Sequence, residues 1–325
     1  MRRERLSGKE RVRRAIRHEE PDRVPLNIWM MREDMRARVV ERYGSLDRFH
    51  AELGIDVHMA VTPPPNRHNP AFVEERMNLA LEAIAPADWL DPDDPSIYAG
   101  VRELVATYGA EKCVLAHVWG VLESAYSFLG VEQTLLCFGL WDGATRELFA
   151  RLGAWSARVA ANVVELGVDV LHISGDVGGN ERMLVSPRTW RERIAPLDAA
   201  IVAPGRARGL PLSLHSCGYF RPILDDLIGM GIDVFHPLQQ SAGFDLADVK
   251  STWGDRLTIH GGLEIRHYLP RASEAELVAH VRENVLTCKR GGGFIFNTEH
   301  TVQPDTSLDR VELAYRTARE CGWYS

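Results

Sequence analysis

Short apolar runs recur along the chain, each opening near a Gly or Pro and closing on a polar or titratable residue. In order they are PLNIWM (25–30), VHMAV (57–61), CVLAHVWG (113–120), VDVLHISGD (168–176), LPLSLHSCG (210–218), IDVFHPLQ (232–239), LTIHGG (257–262) and GFIFNTEH (293–300). β-Branched and aromatic residues fill them, and such near-continuous hydrophobicity suits parallel strands buried on both faces. Stretches with helical patterning lie between, among them 144–167, 186–209 and 273–290. Ser186-Pro187 supplies a cap and a first-turn proline, and Ser273 to Glu276 has the spacing of a capping box. Eight strands alternating with helices predict an α/β fold, a single (β/α)8 TIM barrel with N-terminal helical decoration. The alternative is an open doubly wound sheet. Against it, no GxGxxG follows an early strand, and polar residues gather at the ends of all the strands. The segment 63–98, with PPPNRHNP and DPDDPS, reads as a long loop excursion over the barrel mouth. No linker or shift of composition divides the chain, so one domain over residues 1–325 is expected.

Composition narrows the picture. The 325 residues are 45% hydrophobic, which excludes wholesale disorder, and the formal net charge of −7 argues against a dedicated nucleic-acid binder. Five scattered cysteines (113, 137, 217, 288 and 321) are no disulfide framework. No apolar run approaches the length of a membrane span, and the basic N-terminus lacks the apolar core of a signal peptide. A cytoplasmic protein acting on a small molecule, with no nucleic-acid or membrane partner, is the expectation.

Barrels carry their reactive groups at the C-terminal ends of the strands. Here those ends offer Trp29 and Arg32, His117 and Trp119, His172 and Asp176, His215 and Cys217, His236 and Gln239, His260, and finally Asn297, Glu299 and His300. Seven of the twelve histidines (58, 117, 172, 215, 236, 260 and 300) fall in or at the end of a predicted strand. The sharpest constellation is His215-Ser216-Cys217. Alternate residues of a strand face one side, so the imidazole and thiol are expected to converge in the barrel mouth. One nitrogen and one sulfur suit zinc, and a third ligand from another strand leaves an open catalytic position. His300, at the end of the last run, is the candidate. A buried thiol beside a hydrogen-bonded histidine would carry the same spelling. In Ser174–Gly179, glycines flank Asp176, which fits a base, a holder of a substrate amine or hydroxyl, or a loop-fixing carboxylate. Arg32, Trp119, His172, Gln239, His260 and Asn297 are the expected substrate-binding residues, and no glycine-rich segment matches a P-loop.

The opening GKERVRRAIRHEEPDRVPLNIW resembles the start of the uroporphyrinogen decarboxylase superfamily. So do DVLHISGDVGG, LSLHSCGYFRPILDDLIGMGIDVFHPLQ and the ending GGGFIFNTEHTVQPDTSLDRV, and the resemblance runs over roughly residues 8 to 322. It implies a (β/α)8 barrel and one of two chemistries. The true decarboxylases share an RQAGR segment that grips substrate carboxylates; here Arg32 and Arg36 keep that spacing, but Glu33, Asp34 and Met35 stand between them. Two acids there would repel a polycarboxylate, and of the decarboxylase ending only Asn297 and His300 fit. The zinc methyltransferases of the superfamily, which move methyl groups between a corrinoid protein and a thiol, carry an HxC pair and a later Cys. His215 and Cys217 match that pair, and His300 stands at the later position. The resemblance is therefore closer to the methyltransferase branch, and it implies one zinc per chain on His215, Cys217 and His300. Asp176 would orient substrate or take a proton, and Glu299 would support the site. The implied reaction transfers a methyl group between a corrinoid protein or methoxylated compound and a thiol or hydroxyl acceptor. No DxHxxG pattern occurs, so any corrinoid would arrive on a separate partner protein. Tetrapyrrole decarboxylation, with Arg32 and Arg36 as clamps, and a non-catalytic barrel-fold binding protein are the competing expectations.

Overall fold

Seven of the eight apolar runs form parallel strands in a computed structural model that describes residues 4–69, 81 and 84–325. They are β1 (Val57–Val61), β2 (Cys113–Trp119), β3 (Val170–Ser174), β4 (Leu212–His215), β5 (Val234–His236), β6 (Thr258–Leu263) and β7 (Phe294–Thr298). Each pairs only with its sequence neighbours, in the order β1 to β7. A doubly wound sheet would reverse its order at a switch point; this sheet does not. It is a curled, TIM-like α/β sheet.

Twelve α-helices surround it among the described residues. Before and after β1 run α1 (Gly8–Ile16), α2 (Glu33–Tyr43), α3 (Leu46–Leu53) and α4 (Ala99–Tyr108). Then come α5 (Val121–Leu140), α6 (Gly143–Glu165), α7 (Pro187–Arg193), α8 (Ala195–Ala207), α9 (Leu224–Met230), α10 (Leu246–Trp253), α11 (Glu274–Cys288) and α12 (Leu308–Cys321). Local chemistry explains the starts. Ser186 caps α7 ahead of Pro187, and Ser273 and Glu276 close the expected capping box on α11. The stretch 186–209 is two helices rather than one, broken at Ile194.

The eighth expected strand is the correction. Pro25–Met30 forms no ladder strand but threads the gap between β7 and β1. Phe296 N–H donates to Pro25 O and Asn27 N–H to Phe296 O, both at 2.9 Å, while Asp56 N–H reaches Leu26 O at 2.8 Å just ahead of β1. Pro25 has no N–H to give, and the Leu26 N–H is taken by the Asp56 carboxylate at 2.9 Å. The ladder therefore does not close around the barrel. The N-terminal decoration has a definite place: Val12 and Ile16 of α1 pack with Val57, Cys113, Leu115, Val170, Val234 and Ile295 across the N-terminal end of the sheet. Burying two such aliphatic side chains stabilises the fold by roughly 1.5–3 kcal/mol each. Of the long excursion, Pro86–Asp88 and Pro95–Tyr98 are short 3-10 turns. Asn66 Nδ2 anchors its first arm to Ser127 O of α5 at 2.6 Å. The part over 70–80 and 82–83, expected to cover the mouth, lies outside the described residues.

Candidate functional site

Strand register builds the site. His117 pairs with His172 across β2 and β3, and His215 with His236 across β4 and β5. Together with His260 of β6, three of these, His172, His215 and His236, surround the indole of Trp29. It stacks on His236 at 3.8 Å and 20° and on His215 at 5.1 Å and 11°, and meets His172 and His260 edge-on. All five imidazoles lie at or below 5% exposure. Burial first, and then the neighbouring rings or His300, push their basicity down, to about 3 for His117 and His260. They are neutral inside the barrel. Four of the seven strand histidines thus form a ring of imidazoles around one tryptophan, whereas His58 stacks on Tyr108 at 3.9 Å.

At the mouth of this ring, His215, Cys217 and His300 bring one ligand atom each to within 4.8 Å of one another. His215 ends β4, Cys217 follows two residues on, and His300 follows β7 by two. His215 Nε2 lies 3.3 Å from Cys217 Sγ, and the His300 ring meets the His215 ring edge-on at 5.8 Å. Asp176, two residues beyond β3, accepts the Cys217 N–H at 2.7 Å and sits 3.5 Å from His215 Nε2. Behind it Glu123, in the first turn of α5, is hydrogen-bonded to Asp176. Burial, then the Asp176 charge, pushes Glu123 well above the usual carboxylate range; burial raises Asp176 too, against the Cys217 N–H and the His300 charge. The Cys217 thiol is pushed up by burial and then by the Asp176, Glu123 and Glu299 charges. A buried acid, a half-buried one and a thiol thus crowd one corner where neither Lys nor Arg pairs with either acid among the described residues. The donor set is two imidazoles and a sulfur beside two carboxyl groups, and a divalent metal ion fits it.

The other expected residues fall around this corner in different ways. Trp119 donates its indole N–H to Thr62 O at 2.7 Å and meets the His117 ring edge-on. His172 Nδ1 bonds Ser213 Oγ at 2.7 Å, leaving its buried Nε2 without a partner among the described residues. His260 Nε2 donates to Asn27 Oδ1 at 3.0 Å. Gln239 Oε1 accepts the Gly218 N–H at 2.9 Å, which ties the loop after β5 to the residue following Cys217. Asn297 is fully buried with both amide atoms unpartnered among the described residues, on a β7 position paired with Gly262. Glu299 turns to the β5 loop, accepting from Gln240 N and Nε2 at 3.1 Å each; burial raises its carboxyl to about 8 against those bonds. Arg32 is exposed at the start of α2. Arg36, also exposed, lines a cavity of about 360 Å³ with His50, His58 and Tyr108.

The curled parallel sheet with its polar groups gathered beyond the strand ends places the chain among TIM-like α/β proteins. Within that class it belongs to the uroporphyrinogen decarboxylase (URO-D) family, whose sequence model matches residues 49–321. Among solved structures, the fold is similar to that of a methyltransferase from Methanosarcina mazei, with a TM-score of 0.73 and 16% identity over 97% of this chain and 99% of that one. It is also similar to a B12-independent methionine synthase from Shewanella sp. W3-18-1 in complex with selenomethionine, with a TM-score of 0.56 and 10% identity over 93% and 94% of the two chains. No curated protein matches the sequence.

Proposed function

We propose that the chain is a zinc-dependent, methyltransferase-like enzyme of this family, with His215, Cys217 and His300 as the three protein ligands. The observation that carries this reading is the convergence of those three ligand atoms within 4.8 Å, drawn from positions as far apart as β4 and the end of β7. A bound zinc would lower the pKa of a thiol or hydroxyl acceptor at the open position. Asp176 stands beside that point, held by the Cys217 N–H, and takes the acceptor's proton. Glu123 keeps Asp176 in place from behind. The acceptor's lone pair then forms the bond to the methyl carbon, and the donor retains the electron pair of the bond that breaks. The donor is a methylated corrinoid on a separate protein or a small methoxylated compound, and likeness in fold to two proteins described as a methyltransferase and a methionine synthase supports the reaction class. Trp29 and its histidines floor the site with apolar ring faces and limit water. Tetrapyrrole decarboxylation has less support, since Arg32 and Arg36 are exposed and flanked by the exposed Glu33 and Asp34.

Metal analysis tests the reading. After mild dialysis the protein should hold close to one zinc per chain, and Cys217→Ala should lose it. A wild type that is folded and active in methyl transfer without metal would sink the proposal.

A further inference from the structure

We propose that His236 sets the tautomer of His215, so that His215 presents a bare Nε2 to Cys217 and His300. The role depends on the metal reading above; the proton positions do not. His236 Nε2 lies 3.0 Å from the Thr298 carbonyl oxygen, which can only accept, so that nitrogen carries a hydrogen. A neutral imidazole has one N–H, which leaves Nδ1 of His236 as a lone pair. That Nδ1 is 2.7 Å from Nδ1 of His215, and the hydrogen between them must therefore belong to His215. A second hydrogen on His236 would make a cation in a fully buried ring packed against Trp29, His215 and His260, with no carboxylate among the described residues bonded to it. His215, with its hydrogen on Nδ1, keeps Nε2 free, and Nε2 is the atom that faces Cys217 Sγ. The chain of bonds runs from β7 through β5 to β4, and the Trp29 indole, stacked on both rings, keeps them from turning.

This makes His236 a positioning residue rather than a ligand. A carbonyl or carboxylate usually fixes a metal-binding histidine directly, and loss of such a partner typically lowers metal affinity by about 10–100-fold. Here a second histidine carries the carbonyl's preference across one more ring.

Two substitutions separate this role from simple packing. In His236→Asn the side-chain oxygen can occupy the place of Nδ1 and still accept from His215. In His236→Gln the amide can reach toward Thr298 but leaves His215 Nδ1 without its acceptor. Nitrogen-15 NMR of the metal-free protein shows which ring nitrogen of His215 is protonated. We expect Nδ1 in the wild type and in His236→Asn, and a shift toward Nε2 in His236→Gln. In competition with a chelator, His236→Gln should bind zinc about 10–100-fold more weakly, with His236→Asn within a few-fold of wild type. A wild type protonated at Nε2, or a Gln variant equal to wild type in tautomer and affinity, overturns the proposal. The wild-type spectrum decides even where a variant does not fold. A wild type protonated at Nδ1 that takes up no zinc supports the tautomer assignment and removes the metal reading instead.

Discussion

Of the three converging side chains, His300 has the widest choice of chemistry, because an imidazole can bind a metal or move a proton. Its position argues for the first, since His215 and Cys217 alone would leave a catalytic zinc short of its usual third protein ligand. His300→Cys should keep zinc and part of the activity, whereas His300→Ala should bind zinc at least about tenfold more weakly. An alanine variant that holds zinc as tightly as wild type while losing turnover would make His300 a proton carrier. The approach of His215 and Cys217 was legible in the sequence from their spacing, although β4 ends at His215 and it is the loop beyond, held by the Asp176 carboxylate, that brings Cys217 in. Glu123 was not, because an acid in a helix's first turn is equally explained by the helix dipole. Nor was the task of His236: it depends on a cross-strand register and on a carbonyl from β7, neither of which local sequence encodes.

At the level of elements, the loops after β3 and β4 lie backbone to backbone. Tyr219 N–H donates to Gly179 O at 2.7 Å, and a Cβ on Gly178 would come within 2.3 Å of Cys217 O. Of the glycines that flank Asp176, Gly178 makes room for the neighbouring loop that carries Cys217. Gly178→Ala must push that loop outward. Overpacking of this kind costs about 1–3 kcal/mol, and zinc affinity should fall with it although no ligand has been changed. Unchanged melting and unchanged zinc affinity in Gly178→Ala would show that the two loops move apart without consequence. Seven strands and the start of α11 were readable because they rest on apolar runs and caps. Pro25–Met30 misled because its apolar content suits a strand, while its missing and diverted N–H groups do not.

For the molecule as a whole, a buried ionic cluster joins the N-terminal segment to the sheet. Arg11 pairs with Asp22 at 2.7 Å and with Asp56 at 2.6 Å, and Arg23 pairs with Asp56 at 2.6 Å. Arg11, Asp22 and Arg23 lie in the GKERVRRAIRHEEPDRV opening, and Asp56 stands just ahead of β1. Burial alone would raise the Asp22 carboxyl, but Arg11 and the N–H groups of Arg5 and Leu6 hold it far below its ordinary 3.8. A depressed carboxyl stabilises the fold fully above its ordinary pKa and loses that contribution as pH falls toward the folded value. Asp22→Asn should therefore be about 3 kcal/mol less stable than wild type at pH 7, and the gap should narrow as pH drops below about 4. Urea unfolding across that range checks it, and a constant gap would separate the effect from ionisation. The open seam between β7 and β1 has a further consequence, which lies in time. Trp29 N–H bonds to Thr298 Oγ1 across 269 positions of sequence, and the carbonyl that orients His236 belongs to the same Thr298. During synthesis the segment that bears the tryptophan emerges early, yet its partners arrive one strand at a time: His172 on β3, His215 on β4, His236 on β5, His260 on β6 and Thr298 last, on β7. The hub of the histidine ring is thus among the first parts made and its enclosure among the last, and because His300 follows β7 by two residues, the metal site proposed above would be complete only once β7 has been made.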